Sequence, residues 1–203
     1  MALARPSYFA DSPQSNPPAN IVVRRGLIFA PSEFNLLPFS VIITSIADLS
    51  LQYDEPLGLL RVEWTSGADM RTFRASAEQL VHTCRQLGVR HLLMNMNTFP
   101  DISVYDQVWL GANFMPGIVQ LPLERVVLVI HRRRVHNQLA IDALIALARP
   151  FIRFDIQYFP QPTPGLHWLS DYSDRLPALL AEWDALHVTP AGLPVPGAAA
   201  PRP

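Results

Sequence analysis

Three consecutive arginines, Arg132, Arg133 and Arg134, with His131 before them and His136 just behind, are the densest group of chemically capable side chains in the sequence. Guanidinium groups pair with carboxylates and phosphates in bidentate fashion, so this run suits an anionic ligand or an acidic partner. It follows directly on residues 126–130, a continuous apolar run that reads as a strand covered on both faces. The basic residues therefore fall at the carboxyl end of that strand, the edge at which open α/β sheets tend to bind ligands. The competing reading is a solvated loop that keeps the edge soluble.

Two further groups lie nearby in the expected fold. Asn95 and Asn97 alternate with Met94 and Met96 at the end of another apolar stretch, and the strand period of two puts both amides on one face. There they either line a polar pocket beside the arginines or bond the backbone of the turn before Pro100. Ser103 is followed three residues on by Asp106, the spacing of a reciprocal helix N-cap. A phosphoryl group on that hydroxyl would also be favoured by the positive end of the helix, so Ser103 is either a cap or a phosphoacceptor.

Other chemistries find little support. The six histidines are scattered and form no HExxH or CxxC-type spacing, so no metal site is expected. Cys84 falls on the apolar stripe of a helix, the setting of an inert core thiol. No nucleophile elbow, phosphate loop, dinucleotide fingerprint or carboxylate pair is present, so neither a catalytic residue nor a cofactor is expected. A net charge of −1 points away from nucleic acid, and no apolar run reaches the roughly 18 residues that span a bilayer. With a single cysteine and no apolar leader of signal-peptide length near Met1, a cytoplasmic location is expected.

These groups must be positioned by the elements around them. Residues 1–20 and 188–203 are rich in Pro and small or polar residues and read as disordered tails, and 21–46 reads as an extended arm, strand-like at 21–23 and 41–43 and interrupted between them by Pro31 and Pro38. From residue 47 the pattern is regular. Leu49, Leu51 and Tyr53, a turn at Asp54–Gly58, then Leu60, Val62 and Trp64 spell a hairpin. Phe73, Ala77, Leu80, Val81, Cys84 and Leu87 follow at helical spacing, closed by Gly88. Next come a strand at Leu92–Met96, a helix from Ser103 that Pro116 stops or kinks, and the strand at 126–130. A helix over 135–148 with Leu139, Leu144 and Ile145 inward precedes a strand through Ile152, Phe154, Ile156 and Tyr158. The last helical region, 164–186, is expected to be split by Pro177. Tyr105 and Trp109, and likewise Trp168 and Tyr172, stand four apart and would share a helix face, as core or as a partner surface.

The order β-β-α-β-α-β-α-β-α implies an α/β domain over 47–187. Its single mixed sheet consists of a hairpin plus three parallel strands joined by right-handed crossovers. That order resembles the STAS-like domain, the fold of sporulation anti-anti-sigma factors and of sulfate-transporter cytoplasmic tails, and more narrowly small bacterial STAS-like proteins. The residues that carry the likeness are Leu60-Arg-Val-Glu-Trp64, the stretch Leu92 to Ser103, and Leu166-His-Trp-Leu169. The resemblance implies a phosphorylatable serine after an aspartate, here Asp101-Ile102-Ser103, although Val104 and Tyr105 stand where small residues are the rule. It also implies a non-enzymatic binding or regulatory module acting through protein contacts or self-association. Two alternatives stay open: a carrier of a small anionic or amphipathic ligand beside the arginines, and an enzyme of unfamiliar type using His131 or His136.

Overall fold

Strands that follow one another in sequence also lie side by side in this fold. The computed structural model describes residues 23–24 and 40–187. Among them, β1 (Val23–Arg24), β2 (Ser40–Ile43), β3 (Leu49–Asp54), β4 (Leu59–Trp64), β5 (His91–Asn95), β6 (Arg125–Val129) and β7 (Asp155–Phe159) form one sheet in the order 1-2-3-4-5-6-7. The first four pair antiparallel and β4 to β7 pair parallel, which is the expected α/β architecture of a hairpin feeding three parallel strands. The expected tails lie outside the described residues.

Within the extended stretch expected over 21–46, Val23–Arg24 and Ser40–Ile43 join the sheet and 44–46 do not: Ile42 pairs with Gln52 of β3 and with Arg24 of β1. Ile42 and Ile43 are buried, so their backbone groups must find partners, and the free edge of β3 supplies them.

Parallel strands need a crossover between them, and a right-handed crossover that always steps to the next strand in one direction returns on the same face. The pleat shows this division. Leu60, Val62, Leu92, Val126 and Leu128 point to one face, under helix α1 (Phe73–Leu87), the segment 104–118 and helix α4 (Val135–Ala148). Leu59, Leu93, Val127 and Val129 point to the other, against helices α5 (Pro162–Leu169) and α6 (Leu176–His187).

Helix α1 ends as expected, on Gly88 in the left-handed region (φ 61°), where its N–H returns to Arg85 O. The second helix departs from the expectation. It is not simply stopped at Pro116 but runs as α2 (Val104–Trp109), a π-helical turn (Leu110–Phe114) and α3 (Met115–Ile118). Pro116 lacks the N–H that would bond Ala112 O, and its ring crowds that carbonyl. Widening the preceding turn relieves both problems. Pro177 likewise does not split the last helix. It sits in the first turn of α6, where a missing N–H costs nothing, and the break lies at residues 170–175. Trp168 and Tyr172 therefore share no helix, since Tyr172 falls beyond α5.

The second face is fastened by buried polar side chains as well as by apolar contact. Asp54, with no solvent exposure, takes the Arg175 guanidinium at 2.6 Å and the Leu57 N–H at 3.0 Å. Gln52 donates to Leu179 O and to Glu182, and Arg61, paired with Glu63 at 2.8 Å, lies 4.0 Å over the Trp183 ring. The hairpin thus carries the polar half of the α6 interface. Substituting Arg175→Met removes the counter-charge and leaves the Asp54 carboxylate buried, so stability in urea unfolding is expected to fall by about 3 kcal/mol.

Candidate functional site

The basic run lies where the sequence places it, in the connection that leaves the carboxyl end of β6. Its members have separate tasks. Arg134 donates to Phe99 O and stands 3.5 Å from the Asp101 carboxylate. The His136 ring lies 2.9 Å from Ile102 O, through Nε2. The Nδ1 atom of His131 accepts the Arg133 N–H, a local turn contact. Only Arg132 and Arg133 extend into solvent, with no ion pair to a described residue. The five basic residues do not converge on one point: two brace the 99–102 loop and two face outward.

The chain changes face at this edge, because β6 leads to α4 on one side of the sheet and β7 leads to α5 on the other. Such a divergence opens a crevice in doubly wound sheets. Here Asn97 bridges it, with Oδ1 accepting the His131 N–H at 2.6 Å and Nδ2 reaching Pro160 O at 3.4 Å. Asn95 is buried, and its Oδ1 accepts the Asn97 N–H at 3.2 Å. The two amides come together beside the arginine loop through the turn that follows β5 rather than through the strand period, since Asn97 lies beyond the strand, and both are engaged with backbone.

Ser103 is the N-cap of α2. Its Oγ accepts the Asp106 N–H at 3.1 Å and donates to the Asp106 carboxylate at 2.6 Å. Asp106 also pairs with Arg74 at 3.1 Å, which ties α2 to α1.

Asn137 is the residue that sequence reading missed. It is fully buried on α4, where Oδ1 accepts the Ile102 N–H (3.0 Å) and Nδ2 donates to Pro100 O (2.9 Å). A signal was present. Asn137, Ala140, Ile141 and Leu144 stand at i, i+3, i+4 and i+7, so a lone amide occupies the inward stripe of the helix.

That stripe is rotated from the expected one. Leu144 and Ile145 are half-buried, but Leu139 is 65% exposed. On α2, Val104 and Val108 are each 69% exposed and Tyr105 is 83% exposed, while Trp109 packs against Phe73 with Arg74 over its ring. Segment 104–118 and α4 are neighbours on this face of the sheet: His136 at the start of α4 touches Ile102 just before α2, and a Cβ on Gly111, in the π-helical turn, would lie 3.5 Å from Leu144. Val104 and Val108 on α2, and Leu139 and Leu147 on α4, are thus exposed on two elements of one helix layer, with Arg132 and Arg133 just before the amino terminus of α4.

Beneath this helix layer lies a cavity of about 100 Å³, bounded by the sheet, α1, residues 110–118 and α4. Neither arginine nor histidine lines it, and its single hydroxyl, on Ser76, donates to Ala47 O at 2.7 Å. It is separate from the basic loop.

Two side chains have strongly altered acidity. Burial pushes the Cys84 thiol up to about 12. Burial, and then the Asp142 carboxylate that its hydroxyl contacts at 2.7 Å, push the Tyr158 phenol up as well. No group of three or more metal-ligating side chains occurs among the described residues. No protein-family model, curated protein or solved structure matches the chain.

Two outcomes are expected. Asn137→Ala strands a buried N–H and a buried C=O and is expected to cost about 2–3 kcal/mol in denaturant unfolding, against about 1 kcal/mol for Ser103→Ala, which removes an exposed cap. Because a thiol titrating near 12 stays protonated at pH 8, Cys84 is expected to react with a disulfide reagent only at the rate of global unfolding.

Proposed function

We propose that this protein is a non-enzymatic, STAS-like binding module that acts through protein contacts on the α2–α4 surface. The observation that carries this reading is the set of exposed apolar side chains on α2 and α4 of one helix layer, with free arginines just before α4. Large apolar side chains that face water together mark interaction sites. The order of a hairpin and three parallel strand–helix units supports the STAS-like likeness. The partner that fits is an amphipathic helix carrying acidic residues. Its apolar side chains at i, i+3 or i+4 and i+7 lie along the groove between α2 and α4, and its carboxylates reach Arg132 and Arg133.

Ser103, at the head of α2, adjoins this surface. A phosphoryl group there would add negative charge a residue away from Val104 and weaken an acidic partner, so modification would act as a release signal.

Selection from a displayed library of helical peptides tests the proposal. Acidic amphipathic sequences are expected to be enriched. Leu139→Asp is expected to weaken the selected peptides at least about tenfold, the loss of one apolar anchor. Arg132→Gln with Arg133→Gln is expected to leave stability unchanged and to remove the salt dependence of binding. Enrichment that survives Leu139→Asp overturns the surface. A concentration-dependent dimer that Leu139→Asp abolishes replaces the foreign helix with a second copy of this chain.

A further inference from the structure

Helix α4 and residues 110–118, the continuation of α2, roof the cavity, and we infer that the cavity is a binding site for a small, neutral, apolar molecule. The size of a single ring or a short hydrocarbon chain is set by its volume of about 100 Å³. Apolar cavities of this order stay dry and take up benzene or xenon, because water needs several polar partners to remain inside. This wall offers water none. Its one hydroxyl is spent on Ala47 O, and the remaining lining is aliphatic, aromatic or thioether. The same property defines the ligand, since a charged or hydrogen-bonding headgroup would be left without a partner.

The wall is also built to adapt. Met94 and Met96 enter from the strand β5 side, and Met115 and Phe114 come from the roof. Methionine has three rotatable bonds and a polarisable sulfur, so it refills space around guests of different shape. The roof is the least regular part of the helix layer. It consists of a π-helical turn and α3, and it follows directly on α2, none of whose residues is buried. Segments with few buried contacts open at low free-energy cost, and π-helical turns recur at functional sites. Entry therefore runs through the 110–118 roof rather than through the sheet, whose other face is sealed by α5 and α6. This site stands apart from the peptide-docking reading, because its evidence is the interior of the helix layer.

Methionine methyl groups provide the test. Among the described methionines, Met94, Met96 and Met115 line the cavity, whereas Met70 does not. In the full chain with 13C-labelled methionine methyls, titration with benzene is expected to shift the three wall signals saturably and to leave that of Met70 in place. Benzoate, of the same shape but charged, is expected to shift none of them. Ala77→Leu and, separately, Ile145→Phe fill the cavity from α1 and from α4, and each is expected to abolish the saturable response. A folded filled variant that still binds, a linear response at the wall methyls and Met70 alike, or no response in the wild type overturns the site. If one substitution prevents folding, the other still decides the matter. Loss of benzene binding with peptide binding intact would remove this site and leave the docking surface standing.

Discussion

A parallel sheet must be covered on both of its faces, and nearly every feature of this protein follows from how that cover is arranged. Strands β4, β5 and β6 carry large apolar side chains on both sides of the pleat, so neither side can face water. Sequential right-handed crossovers place α1, the 104–118 segment and α4 on one face, which leaves the other bare until the chain passes β7. Helices α5 and α6 then close it. The two covers differ in chemistry. The α6 half of the second face is held by a buried ion pair and amide bonds, which demand one geometry. The first face is apolar almost throughout, and it is there that a cavity persists.

The connection between β5 and α2 shows why chemically suggestive side chains ended up as braces. Residues 96–103 are irregular, and part of their backbone lies under α4, where unpaired carbonyl and amide groups would be costly. Arg134, His136 and Asn137 meet Phe99 O, Ile102 O, Pro100 O and the Ile102 N–H between them. A cluster of basic and amide residues at the carboxyl edge of a sheet has the composition of an anion site. The same composition is what an irregular loop needs when it is packed against a helix. Geometry separates the two, and here it leaves Arg132 and Arg133 free.

The helix layer over the first face is two-sided. Its inner side is irregular, with a π-helical turn and three methionines around the cavity, and its outer side presents Val104, Val108, Leu139 and Leu147 to solvent. Roof and surface share α4 and the continuous 104–118 segment, so a guest inside and a partner outside would each act on the position of the other. Segment 104–118 holds only short helical pieces between Ser103 and Ile118 and contributes Leu110 and Ile118 as its fully buried anchors. It is the part of the layer best suited to transmit such an effect.

The α/β class, the hairpin with its turn, the element order over 47–187 and the cap at Ser103 were legible in the residue pattern, because those depend on local periodicity and on residues such as Gly88 and Ser103 with narrow backbone roles. The pattern also placed the basic run at the carboxyl end of β6. It did not determine the rotation of α4, where Leu139 faces out and Asn137 faces in. The helix is apolar on nearly all sides, so its inward stripe is chosen by what the neighbouring loop requires rather than by its own pattern. The apolar run 41–43 looked strand-like, but its place beside β3 was not legible, since an outer strand is positioned by the partner that shares its hydrogen bonds. Which arginines are free, that Asn97 fills the crevice, and that a cavity lies under residues 110–118 and α4 emerge only when the chain is folded. Each of these depends on distances between residues far apart in the chain, which local composition does not encode.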